Sequence, residues 1–140
     1  MTIVPLEEQL CFALYSASNS LTGVYRKLLE PLGLTYTQFI VLMVLWEKDG
    51  ISISELADRT GLSNATMTPL LKRMEQKGFI TRKRLSDNER QKNIVLTKVG
   101  SELSEKSIDV TVEAFKSTSL SKKQAEDVIA ICQQIVRSTS

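Results

Sequence analysis

Residues 52–84 read SISELADRTGLSNATMTPLLKRMEQKGFITRKR, and the fold turns on this stretch. Ser52, with Glu55 three residues on, is a capping-box pattern, so a short helix should open there and turn Ile53, Leu56 and Ala57 inward. Gly61 supplies the left-handed residue that ends it. After Leu62, Ser63 is a second N-cap, and Met67, Leu70, Leu71 and Met74 share one face of a helix that runs to Gly78. Two helices joined by a tight, glycine-containing turn make a helix-turn-helix. Pro69 forfeits one backbone hydrogen bond inside the second helix, so a local bend is expected. Phe79 to Arg84 then reads as a strand, Leu85 to Lys92 as a polar loop and Asn93 to Leu96 as the returning strand, a hairpin placed like a wing.

On either side lie amphipathic helices. Pro5 suits a first helical turn, Glu7 and Glu8 favour its positive end, and Leu6, Leu10, Leu14, Ala17, Leu21, Val24 and Leu28 form a long stripe until Pro31 and Gly33. Thr35 with Gln38 is a capping box for a helix through Phe39, Leu42, Met43 and Trp46, stopped at Asp49-Gly50. Thr97 caps a fifth helix, roughly Lys98 to Lys116, in which Leu103, Ile108, Val112 and Phe115 are spaced apolar positions. Ser121 with Gln124 is a third capping box, opening a helix whose stripe is Ala125, Val128, Ile129, Cys132, Ile135 and Val136. The fold class expected is therefore mainly α with a small β-hairpin, a winged helix-turn-helix in a single domain over 1–140. Its core spans about 35–97, flanked by arms over about 1–34 and 98–140. The small core cannot cover such long apolar stripes, so a second copy of the chain is expected to do so.

Composition narrows the function. The chain has 140 residues, 42% apolar and 24% charged, which suits one globular fold. No run approaches the ~20 apolar residues of a membrane span, and Pro5, Glu7 and Glu8 stand where a signal peptide would be apolar, so a cytoplasmic protein with no membrane partner is expected. Two cysteines far apart, Cys11 and Cys132, match neither a disulfide framework nor a zinc site, and no cofactor or metal is called for. Histidine is absent, which removes Ser-His and Cys-His catalysis and argues against an enzyme.

The net charge of +2 hides a strong asymmetry. From Ser63 to Lys92 there are eight basic residues against three acidic, while the rest of the chain has ten against thirteen. That one segment is built to meet a polyanion. In a helix-turn-helix the first turns of the second helix enter the major groove of double-stranded DNA, where Ser63, Asn64, Thr66 and Thr68 are polar and slim enough to reach base edges. Lys72, Arg73 and Lys77 lie further along, placed to neutralise phosphates. Arg82, Lys83 and Arg84 on the strand, with Arg90 near the loop tip, suit a narrow minor groove. Any one of these alone reads as solvated charge or an ordinary cap; their gathering on one motif, against an acidic remainder, favours DNA. A homodimer would fit a pseudo-palindromic operator with half-sites about one turn, ~34 Å, apart.

Several segments resemble the MarR-type winged-helix regulators, and within them the organic-hydroperoxide-sensing OhrR branch with its one-cysteine, SarZ- and MgrA-like members. They are Leu10-Cys11-Phe12-Ala13-Leu14-Tyr15, Leu34-Thr35-Tyr36-Thr37-Gln38, Thr66-Met67-Thr68-Pro69-Leu70-Leu71-Lys72-Arg73-Met74-Glu75 and Ile80-Thr81-Arg82-Lys83-Arg84. The resemblance implies a bacterial repressor or dual regulator, dimeric through its terminal helices, whose Cys11 is oxidised by organic hydroperoxide and which then leaves its operator. It also implies that Tyr25 and Tyr36 donate phenolic hydrogen bonds to the partner's Cys11, with Tyr15 nearby. Spacing agrees: Cys11 and Tyr15 are one turn apart, whereas Tyr25 lies fourteen residues on, about 21 Å along a straight helix at ~1.5 Å per residue, beyond reach of its own Cys11. Phenolic hydrogen bonds favour a thiolate, the form that attacks peroxide to give a sulfenic acid, which condenses with a thiol to a disulfide. That thiol is either a low-molecular-weight one, giving a mixed disulfide, or Cys132. Two-cysteine members carry their resolving cysteine nearer the junction of the fifth and sixth helices, so core packing is the better reading of Cys132. The chain also departs from the branch at Asn88, two residues before Arg90, and at Ser63, where relatives often carry aspartate. Rival readings are a regulator controlled by a small aromatic or phenolic ligand beneath helices one, two and five, a thiol peroxidase turning over at Cys11, and a helical protein adaptor.

Overall fold

The computed structural model describes residues 2–84 and 92–140. Among the described residues six α-helices and one hairpin follow in order: α1 (Leu10–Leu29), α2 (Tyr36–Glu47), α3 (Ile53–Thr60), α4 (Asn64–Gln76), β1 (Ile80–Lys83), β2 (Asn93–Leu96), α5 (Lys98–Ser117) and α6 (Lys122–Thr139). Arg90, Asn88 and Asp87, which the sequence places in the wing loop, lie outside the described residues.

Local chemistry sets most boundaries. The Thr35/Gln38 and Ser121/Gln124 boxes are both complete, each side chain bonding the other's backbone amide. Gly33, Gly61 and Gly78 take positive φ where a helix stops or a strand begins, conformations glycine adopts without a Cβ penalty. Two expectations are corrected. At Ser52 only half of the box forms: its hydroxyl accepts from the Glu55 amide at 3.1 Å, but the Glu55 carboxylate turns to Lys48 at 3.6 Å instead of reaching back. At the N-terminus, Pro5 opens a single 3-10 turn, Leu6–Glu8, and not α1. Gln9 is extended (ψ 124°) with its amide side chain bonded to the Val4 carbonyl, so α1 begins at Leu10 and Leu6 drops out of its stripe. Helix α4 runs through Pro69 as one element.

The core sits where α2, α3 and α4 meet β1 and β2. Phe39, Leu42, Leu45, Leu56, Met67, Leu71, Met74, Ile80 and Ile94 are fully buried there. The apolar face expected of α4 is buried as read, at Met67, Leu70, Leu71 and Met74. Strands β1 and β2 pair antiparallel with Ile80 opposite Leu96 and Lys83 opposite Asn93, and Ile51 bridges to Ile94 at the base of the wing. Asp49 closes that base: its Oδ1 accepts from the amides of Gly50 at 2.8 Å and Leu96 at 2.9 Å.

Helices α1 and α5 pack together and α2 lies against both. Helix α5 turns Gly100, Val110 and Ala114 inward and leaves Ile108, Val112 and Phe115 on its outer face, so the apolar positions singled out in the sequence are mainly the outer ones. Helix α6 buries none of its residues. Every exposed large apolar side chain among the described residues lies within 3–15 or 99–136, and none within the winged-helix core.

Candidate DNA interface and thiol site

The outer surface of α4 follows from its buried one. With Met67, Leu70, Leu71 and Met74 facing inward, Asn64, Thr66, Thr68, Lys72 and Arg73 are left exposed, and Ser63 beside them is exposed as the N-cap. Ser63 Oγ accepts from the Thr66 amide at 3.2 Å and donates to Thr66 Oγ1 at 3.0 Å, while Thr68 Oγ1 donates to the Asn64 carbonyl at 3.0 Å. The N-terminal turn is thus a stiff, hydroxyl-rich surface at the positive end of a helix. On the wing, Lys83 and Arg84 are exposed, whereas Arg82 shares the inner face of β1 with Ile80 and is half-buried. Arg82 Nε is buried with no hydrogen-bond partner among the described residues.

Lys77, which the sequence places among the phosphate contacts, is exposed at the C-terminal end of α4. Its ammonium donates to the Gly33 carbonyl at 2.8 Å and to Gln38 Oε1 at 3.3 Å, at the junction of α1 and α2. Nothing local announces this, because the partners are 44 and 39 residues away. Gln38 itself, 1% exposed, reads in the sequence only as a capping residue.

The thiol site comes in two halves. Cys11 is a free, exposed thiol on the first turn of α1, among Leu10 and Tyr15, which are 67% and 63% exposed. The other half is at the far end of α1: the Tyr25 ring lies against that of Tyr36, the first residue of α2, with centroids 4.9 Å apart, and against Phe39 at 6.0 Å. Burial first, and then the neighbouring Tyr36 charge, raise the Tyr25 pKa above its ordinary value of 10.0, so its hydroxyl stays a proton donor at neutral pH. An unbroken 20-residue α1 separates Cys11 from Tyr25, so one protomer brings the two tyrosines together but not the cysteine to them. Tyr25 also lines an apolar groove of about 260 Å³ between α1, α5 and α6, with Leu21, Phe115, Val128 and Ile129. Cys132 is half-buried on α6, between Val128 and Ile135 along that helix. Among the described residues no cluster of three or more His, Cys, Asp or Glu could hold a metal, and no single helix is long and apolar enough to cross a membrane.

A helix-turn-helix with an adjoining two-stranded wing defines the class, a winged-helix transcriptional regulator and not an enzyme. The family model described as MarR family matches residues 34–92. The organic hydroperoxide resistance transcriptional regulator of Bacillus subtilis is 42% identical over 123 residues, 88% of this chain and 82% of that protein. The HTH-type transcriptional regulator SarZ of Staphylococcus aureus is 35% identical over 124 residues, 89% and 84% of the two chains. Among solved structures, reduced AbfR bound to DNA superposes with a TM-score of 0.78 at 32% identity, covering 96% of this chain and 94% of that one. AbfR, from Staphylococcus epidermidis, is also known with its disulfide formed, where the TM-score is 0.68 at 31% identity over 94% and 92% of the chains. The chain belongs to the MarR family.

Proposed function

We propose that this chain is a homodimeric repressor that holds operator DNA through α4 and the wing while Cys11 is reduced, and releases it when an organic hydroperoxide oxidises Cys11. One observation carries the redox half of this reading. Tyr25 and Tyr36 are held ring to ring at one end of α1 and Cys11 stands exposed at the other, so an antiparallel partner brings each thiol to the other copy's phenols. The apolar surface confined to the terminal arms gives that partner its interface. One relative is named for organic hydroperoxide resistance, and a different one, AbfR, is solved reduced on DNA, overoxidised on DNA and with its disulfide formed, which supports a redox-responsive regulator with a disulfide as the releasing form.

The chemistry balances without a cofactor. The Cys11 thiolate attacks one peroxide oxygen, an S–O bond forms and the O–O bond breaks, and the leaving alkoxide takes a proton to become an alcohol; sulfur is oxidised and the peroxide reduced. The sulfenic acid then condenses with a thiol, giving a disulfide and water. A neutral sulfenic acid or disulfide no longer accepts the phenolic hydrogen bonds as a thiolate does. The seam rearranges, and the two α4 helices lose the spacing that matches adjacent half-sites.

The test is operator binding by wild type and Cys11→Ser, each with and without cumene hydroperoxide. Wild type should dissociate on oxidation while Cys11→Ser binds and stays bound. A Cys11→Ser protein still released by peroxide would sink the proposal. Release of both proteins by a small phenolic compound instead would favour the cleft of about 650 Å³ beside Arg26, Thr35 and Tyr36 as an effector site.

A further inference from the structure

We propose that Lys77 is a positioning residue for DNA recognition: its ammonium pins the C-terminal end of α4 to the turn that joins α1 to α2, so that the reading end of α4 is held at a fixed angle. The inference rests on α4 being the DNA-reading helix. Lys77 is the C-cap of α4, and its Nζ spans to the Gly33 carbonyl at 2.8 Å and to Gln38 Oε1 at 3.3 Å. Both acceptors are themselves fixed. Gly33 has φ 72°, so the left-handed turn dictates where its carbonyl points. Gln38 is 1% exposed, and the same Oε1 accepts from the Thr35 amide at 3.1 Å, which locks the side chain in the capping box of α2.

A cation at the C-terminal end of a helix also meets its negative dipole. That alone would place the lysine without requiring two partners on another element. The tether is long-range and joins α4 to a turn bearing Thr35 and Tyr36. The 13 residues of α4 put its N-cap about 20 Å from this end, at ~1.5 Å per residue, so Lys77 stands remote from the Ser63 to Thr68 surface. A rigid helix held at one end and packed along one face transmits a small tilt to the other end. Removing the ammonium leaves the Thr35–Gln38 bond in place, so α2 keeps its cap.

The experiment measures affinity against salt for the full-length reduced protein, using a duplex enriched by the wild type from a random-sequence pool. Wild type, Lys77→Met and Lys72→Met are compared, with thermal unfolding of each. Lys77→Met should bind about five- to tenfold more weakly at every salt concentration, with the wild-type slope of log affinity against log salt and a folded, cooperative melt. Lys72→Met should flatten the slope by about 0.9 for each phosphate contact removed. A Lys77→Met slope flattened like that of Lys72→Met would show a phosphate contact and overturn the proposal. An unchanged affinity would overturn it as well, since the tether would then hold nothing. A wild type that enriched no duplex would remove the DNA-reading assignment of α4 and this inference with it, a result distinct from the other two.

Discussion

Tyr25 shows how one residue can be both structural and chemical. Its ring packs against Tyr36 and Phe39, and the partial burial that sets it against the core also raises the pKa of its hydroxyl. A phenol whose folded pKa exceeds its unfolded value stabilises the fold fully below the unfolded pKa of about 10. That contribution is lost as pH rises through the folded value, because the unfolded chain releases its proton first. Stability should therefore fall between pH 9 and 11 more steeply in wild type than in Tyr25→Phe, as read by urea unfolding at each pH. Parallel curves for the two proteins would mean that the Tyr25 hydroxyl is as well solvated in the folded state as in the unfolded chain.

Among the elements, β1 and the start of α5 approach closely. The Thr97 hydroxyl donates to the Gly78 carbonyl at 2.6 Å, and the Trp46 indole N–H donates to the Gly100 carbonyl at 2.9 Å. A Cβ on Gly100 would lie 2.1 Å from the Phe79 carbonyl oxygen, a backbone atom that cannot swing aside. Gly100→Ala should therefore destabilise the fold by about 3 kcal/mol in chemical denaturation; a change under about 0.5 kcal/mol would mean that α5 and the wing adjust freely. A glycine inside a helical pattern is a signal that a sequence can offer, and so are caps. Ser63, Thr97 and Ser121 were legible because a cap depends on residues three apart. The partners of Lys77 were not legible, because only the folded chain brings residues 33, 38 and 77 together. Nor could periodicity say which apolar face of α5 meets the core, since Val110 with Ala114 and Ile108 with Val112 are both helically spaced. Pro5 misled for a related reason: it suits the first turn of a 3-10 segment as well as that of an α-helix.

At the scale of the whole molecule, the winged-helix core leaves no large apolar side chain exposed among the described residues, whereas the arms do. Ile108 and Val112 on α5, 64% and 43% exposed, belong to the surface assigned to the dimer seam, so Ile108→Glu with Val112→Glu should yield a folded monomer in sedimentation. Losing simultaneous contact with two half-sites should weaken operator binding on the order of a hundredfold; a double variant that still sediments as a dimer would place the seam elsewhere. In the proposed antiparallel dimer the redox site is a property of two chains. A heterodimer of one Cys11→Ser protomer and one Tyr25→Phe, Tyr36→Phe protomer tests this most directly, because its single Cys11 can meet Tyr25 and Tyr36 only across the seam. The rate at which cumene hydroperoxide oxidises that thiol, followed by mass spectrometry, should equal the wild-type rate. Oxidation as slow as in the Tyr25→Phe, Tyr36→Phe homodimer would contradict a site shared between subunits.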